Sequence, residues 1–291
     1  ETRITNCTAV IDGTRSASVK ARARTSKAGA LEERGDSLKA KNDIDGALRD
    51  YSEALTLNKD KSTLLFKRGM IYRDRNESDQ AIADLEGALK GDKRNNELMN
   101  TLSHLYYDKR DFAHAISVLD LAIKLKPNDA VALYHRGMAY RARGEPDRAI
   151  PDYDRAIKLN PSDPVAWHSR GLAYRDIRDY ERAIQDFDQA IKLKPDFILA
   201  LNDRGIAYAS RGEVDRAIEE FDAAILLEPR DALAYNNRGL AYRNRGEVAR
   251  AIKDYDQALL LNPSYQLAYY NRGNAYYDRR DYDRAIDNYN H

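Results

Sequence analysis

The sequence predicts an all-α fold, an α-solenoid of tandem antiparallel helix pairs, from three features that recur every 34 residues. The first is a small residue at Gly35, Gly69, Ser103, Gly137, Gly171, Gly205, Gly239 and Gly273. The second is a pair of alanine series, Ala47 to Ala285 and Ala54 to Ala258, each in that step. The third is an acid eight residues past the glycine position: Asp43, Glu77, Asp111, Glu145, Asp179, Glu213, Glu247 and Asp281. A fixed period of this length marks a repeated supersecondary unit that cannot bury its apolar face alone and stacks on its neighbours to do so.

In chain order, residues 2 to 12 place Ile4, Cys7, Val10 and Ile11 at helical spacing. They predict a short amphipathic helix that covers the open face of the first repeat, readable as the remnant second helix of a degenerate one. From Gly13 to Ala30 there is no acid, while Arg15, Lys20, Arg22, Arg24 and Lys27 are basic among Ser, Thr and Ala. Residues 1–27 are therefore expected to form this helix and a solvated basic linker, with a docking tail as the alternative. The repeats occupy 28–61, 62–95, 96–129, 130–163, 164–197, 198–231, 232–265 and a partial 266–291.

Each repeat predicts a first helix of about thirteen residues, a tight turn and a second helix of about fourteen. Glycine facing alanine lets two helix axes approach, and Tyr140, Tyr174, Tyr208, Tyr242, Phe187 and Phe221 fill the space beside them. The recurrent acid stands where the second helix begins, at unpaired N–H groups and the positive end of the helix dipole. Second helices stop near Pro127, Pro161, Pro195, Pro229 and Pro263, with Lys59 and Lys93 at the equivalent earlier positions. Pro151 lies inside a second helix and predicts a local kink.

Within PVAWHSRGLAYRDIRDYERAIQDFDQAIKLKP, residues 164 to 195, the positions Trp167, Gly171, Tyr174, Ala183, Phe187, Ala190 and Pro195 carry a recognisable signature. The chain resembles the tetratricopeptide repeat family in eight in-phase copies over 28–291. The resemblance implies a right-handed superhelix whose first helices line a concave groove that binds peptides or partner proteins. One departure is informative, because the residue before the glycine, usually leucine in the family, is Arg34, Arg68, Arg136, Arg170, Arg204, Arg238 or Arg272 here. Sixteen residues further lies Asp50, Asp84, Asp152, Asp186, Glu220 or Asp254, and where the arginine becomes Leu102 the acid becomes Val118. The two positions change together, which predicts an ion pair between the two helices of a repeat, shielded between repeats.

Charged residues make up 33% of the chain, but the net charge is +1, so no global field attracts nucleic acid or an anionic membrane. No apolar run approaches a membrane span and the first thirty residues lack a signal-peptide core, so the chain reads as soluble. Its start at Glu1 leaves cytoplasm and, after removal of an export signal, periplasm both open. The lone Cys7 cannot form an internal disulfide. No phosphate loop or nucleophile motif appears, so the expectation is a non-enzyme without cofactor or metal. His104, His135 and His168 fall on consecutive first helices and read as groove residues.

By the resemblance, the groove presents Phe66, Met70 and Arg73, then Asn100, His104 and Tyr107, then Tyr134, Met138 and Arg141. It continues through His168, Leu172 and Arg175, through Asn202 and Ile206, and through Asn236, Leu240 and Arg243, ending at Tyr270, Asn274 and Tyr277. Aromatic, Met and Arg side chains anchor interfaces, and amides can hold an extended backbone. The expected ligand is an extended peptide or partner protein segment. Arg73, Arg141, Arg175 and Arg243 favour spaced carboxylates on it, unless Asp74 and Asp176 neutralise them. The two-carboxylate clamp of chaperone-binding relatives is absent.

Asn202, Asn236, Asn237 and Asn271 resemble part of the asparagine ladder of nucleocytoplasmic glycosyltransferases. Three readings follow: a protein-binding scaffold, the substrate-recruiting arm of a larger enzyme such as a glycosyltransferase, or a self-assembling structural protein. The last rests on Tyr282, Ile286 and Tyr289, which have no following repeat in this chain to cover them.

Overall fold

The computed structural model describes residues 1–13, 16–57 and 61–291, which leaves Arg15 and Lys59 outside the described residues. The helices are α1 Thr2–Gly13, α2 Ala17–Ala40, α3 Ile44–Leu57, α4 Ser62–Asp74, α5 Ser78–Gly91 and α6 Asn96–Asp108. Next come α7 Phe112–Leu125, α8 Ala130–Ala142, α9 Pro146–Leu159, α10 Pro164–Asp176, α11 Tyr180–Leu193 and α12 Ile198–Ser210. The last are α13 Val214–Leu227, α14 Ala232–Asn244, α15 Val248–Leu261, α16 Gln266–Asp278 and α17 Tyr282–Tyr289. From α2 onward the even-numbered helices are the first helices of the repeats and the odd-numbered ones the second; α2 to α7 pack in sequence within the first unit, and α9 to α17 within the second. Two compact units result, Glu1–Ala139 and Tyr140–His291, with their boundary inside α8.

The small residues do what their spacing requires. Ala183, Ala217 and Ala251 are fully buried, as are Ala190, Ala224 and Ala258. Around them Tyr174, Phe187, Tyr208 and Phe221 form one apolar cluster in the second unit. In the first unit Ala28, Leu31, Tyr51, Leu64 and Ile71 form the corresponding cluster, against which Ile4 of α1 packs.

The basic linker is corrected. From Ala17 the segment is helical and continuous with the first helix of repeat one, which therefore runs 24 residues rather than about thirteen. Its alanines favour helix, and neighbours hold it: Ala23 is buried, Lys27 pairs with Glu53 at 2.8 Å, and Arg3 of α1 reaches Ser26 and Glu33. Pro151 lies inside α9 without dividing it; the proline is exposed, and so is Asp147, whose carbonyl it leaves without a helical donor.

The turn acids split by type. Asp43, Asp111, Asp179 and Asp281 accept a hydrogen bond from the backbone N–H three residues on. Glu145, Glu213 and Glu247, one methylene longer, make no such bond and instead bridge the arginines two residues before and three after. In every repeat the residue just before the acid has positive φ: glycine at 144, 212 and 246, but Asn42, Asn76, Arg110, Arg178 and Arg280 in the rest. The Arg positions gave no sequence signal, because this conformation is normally reserved for Gly or Asn.

Candidate functional site

A ladder of ion pairs ties α2, α4, α10, α12 and α14 each to the second helix of its own repeat. Arg170 donates from Nε and Nη2 to both carboxylate oxygens of Asp186 at 2.8 and 2.7 Å, and Arg34–Asp50, Arg68–Asp84 and Arg238–Asp254 repeat this fork. The acids are buried; Asp186 is 3% exposed. Burial raises its carboxyl above the ordinary carboxylate range, although the hydrogen bond from Arg170 opposes this.

The sequence reading found half of this network. In five copies the arginine Nη1 reaches back sixteen residues to an acid on the second helix of the preceding repeat: Arg136 to Asp120, Arg170 to Asp154, Arg204 to Asp188, Arg238 to Asp222 and Arg272 to Asp256, at 2.6–2.7 Å. Arg170, Arg204, Arg238 and Arg272 thus each clamp two second helices. Where Leu102 replaces it, Glu86 takes the Tyr106 hydroxyl instead. Glu220 is too long for the fork and leaves the Nε of Arg204 without a partner, and at the last repeat Asn288 stands in for the acid, 2.7 Å from Arg272.

In the second unit the consecutive first helices α10, α12, α14 and α16 touch one another, which decides the fate of the expected groove residues there. In the second unit His168, Asn202 and Asn236 are buried, which corrects their assignment to an open binding surface. Their position faces the next first helix: His168 Nε2 lies 2.7 Å from Asp203, and Asn236 accepts from Asn271 at 2.9 Å. Asn202 donates to Asp231 at 3.1 Å. They are inter-repeat contacts.

The recurrent cations are likewise engaged. Arg141 pairs with Asp176 at 2.7 Å, Arg243 with Asp278 at 2.6 Å, Arg175 with Asp203 and Arg73 with Asp74 at 2.6 Å. The expected preference for a carboxylate ligand loses its basis, because each arginine already has its acid. Leu172 and Ile206 are partly buried beside the core cluster. Leu240, Tyr270 and Tyr277 are exposed, and Asn274 accepts from the Tyr289 hydroxyl at 2.8 Å. Ile206, Asn237, Leu240 and Asn244 line a pocket between α12 and α14.

In the first unit Phe66, Met70 and Tyr134 are half-buried. His104, Tyr107, His135 and Met138 line a pocket between α6 and α8. Beside it Asn100, His104 and His135 share a wider cleft with Glu97 and Val131. The two imidazoles meet edge to face, Nε2 to Nε2 at 3.0 Å, so one donates and the other accepts. Burial, with His104 adding to it and Asp129 opposing, pushes His135 down to about 4 from its usual 6.5.

A folded pKa below the unfolded one means the unfolded chain takes up the proton first as pH falls. His135 therefore withdraws stability between pH 6.5 and 4, on the order of 2 to 3 kcal/mol. His135→Gln should remove that part of the decline when unfolding midpoints are compared from pH 8 to 4; an unchanged slope would refute the assignment. Among the described residues no three His, Cys, Asp or Glu side chains converge as a metal site. No helix among them is long and apolar enough to cross a membrane.

One row was missed. Val131, Val165, Leu199, Leu233 and Leu267, six residues before each glycine, are all exposed. Val131 shares the cleft with Asn100 and His104, so this position belongs to the same face as the expected residues. The signal was available, since aliphatic residues recur in five consecutive copies at a position that does not pack into the core.

Family models described as tetratricopeptide repeat match residues 32–97, 97–129, 130–163, 164–197, 232–265 and 267–291, and one described as TPR repeat matches 207–244. No curated protein matches the chain in sequence. Among solved structures, a tetratricopeptide repeat protein from Parabacteroides merdae is 20% identical with a TM-score of 0.65, covering 85% of this chain and 98% of its own. MamA is 30% identical with a TM-score of 0.52, over 56% of this chain and 95% of its own. YrrB, described as a TPR protein with an unusual peptide-binding site, is 21% identical with a TM-score of 0.52, over 63% and 95%.

Proposed function

The chain belongs to the tetratricopeptide repeat family, and from that premise we propose that it is a non-catalytic scaffold binding a peptide or partner protein segment across the outer face of its first helices. One observation carries the reading. The residues that make the fold, Gly, Ala and the clamped Arg, repeat with little change, while the first-helix face varies from copy to copy and leaves Leu240, Tyr270 and Tyr277 exposed. Large side chains on a rigid frame are what interfaces use as anchors. That YrrB has a peptide-binding site agrees with this reading.

The test is selection of random 21-residue displayed peptides on the immobilised full chain. Leu240→Asp with Tyr270→Ala should weaken the selected peptides at least about tenfold, a loss on the order of one hot-spot contact. Leu226→Asp with Leu260→Asp, at exposed positions on second helices, should leave them unchanged. The opposite pattern would move the binding surface to the second helices and refute the proposal.

A further inference from the structure

We infer that the segment bound by the second unit is an amphipathic α-helix with an aliphatic residue at every seventh position and no requirement for negative charge; this rests on the reading above and narrows it. The exposed row Val165, Leu199, Leu233 and Leu267 runs across four successive first helices, and seven residues further along three of them stands a second row, Leu172, Ile206 and Leu240. Seven residues of α-helix rise about 10.5 Å. The two apolar rows therefore run parallel at about the width of one helix with its side chains, roughly 10 to 12 Å.

Between them His168, Asn202 and Asn236 are buried and bonded to their neighbours, so over α10, α12 and α14 these positions put no large projecting side chain between the rows, and at α16 the exposed Tyr270 closes the strip. The step along each row is set by first helices in direct contact, whose axes lie about 8 to 10 Å apart. A ligand helix laid along the rows advances by nearly that distance every seven residues, so its apolar stripe meets one repeat after another. An extended strand does not fit, because residues three apart, at about the same distance, point to opposite sides. A polyproline II segment matches the step, at about 9.3 Å per three residues, but is too narrow to touch both rows.

Charge disfavours the other ligand class. The three groove arginines of this unit, Arg141, Arg175 and Arg243, are closed by Asp176, Asp203 and Asp278. An acidic peptide would have to break these pairs, whereas an apolar stripe leaves them intact.

Peptides recovered by the selection on the full chain decide the matter. The expected set carries Leu, Ile, Val or Met at seven-residue spacing. Its affinity should fall at least about tenfold with Leu199→Asn and Leu233→Asn together, both exposed and outside the core. It should change less than about threefold between 50 and 500 mM salt, since no charged contact is screened. Acidic or proline-rich peptides, or peptides indifferent to the Leu199 and Leu233 changes, would overturn the inferred helix. If such peptides are still lost with Leu240→Asp and Tyr270→Ala, the first-helix face stands and only the ligand class falls. If they are not, both fall.

Discussion

Replacing Arg170 by Leu will destabilise the protein by about 3 to 5 kcal/mol, the range for removing one partner of a buried pair, and replacing Arg170 and Asp186 together by Leu and Val will cost less than half as much. The single change leaves Asp186, 3% exposed, as an uncompensated charge with both oxygens stripped of their donors. It also removes the guanidinium from over the Trp167 ring, 4.9 Å from its centroid. The double change installs the combination the chain already tolerates at Leu102 and Val118.

The reverse single change, Asp186→Val, should be milder than Arg170→Leu. The arginine keeps Asp154, whose side chain is half in solvent, and a partly solvated pair needs less compensation. Chemical denaturation of the three variants, read as the coupling in a double-mutant cycle, checks the argument. If the double variant is as unstable as Arg170→Leu, the acid is not stranded by loss of its arginine and the clamp is only a surface pair.

The same residues show what the sequence made legible. The pairing of Arg170 with Asp186 was readable because one copy drops both partners, and covariation inside a chain needs no geometry. The bond from Arg170 to Asp154 was not read, although that acid recurs as Asp120, Asp188, Asp222 and Asp256, because only the stacking of one repeat on the next brings it to the arginine. The candidate face was read from the sequence as a set of positions, without their exposures. Whether Asn236 faces solvent or Asn271 depends on how closely adjacent first helices lie, a tertiary quantity absent from the 34-residue pattern. For the same reason the four arginines of that face looked like ligand contacts until their aspartates, mostly from the neighbouring repeat, were in place. The solvated linker did not hold, because its Ser, Thr and Ala composition carries no sign of α1, which packs along it as a helix.

Gly205→Ser will cost about 2 to 3 kcal/mol, in the upper part of the range for overpacking a filled core, whereas Gly69→Ser will cost clearly less. A Cβ at Gly205 would stand 2.6 Å from Cε1 and 2.9 Å from Cζ of Phe221, a ring 1% exposed that has no space to retreat into. At Gly69 the nearest atoms are Cγ and Cδ2 of Leu85, at 3.0 and 3.1 Å. Leu85 is buried too and Cβ of Asp84 follows at 3.2 Å, but these contacts are 0.4 Å longer than that to Phe221, so a shift of a few tenths of an ångström suffices. Both substitutions gain the same helix propensity, so the comparison isolates packing.

The chain itself supports this logic: the one repeat with Ser103 at the glycine position has Leu119, not an aromatic ring, sixteen residues on. Gly205→Ser combined with Phe221→Leu should therefore be more stable than the sum of the two single effects by about 1 kcal/mol or more. Equal costs at Gly205 and Gly69, or strict additivity at Gly205, would mean that the facing aromatic does not demand the glycine. The small residue would then have to be explained by the approach of the two helix backbones, with Ala183, Ala217 and Ala251 as its partners rather than the ring.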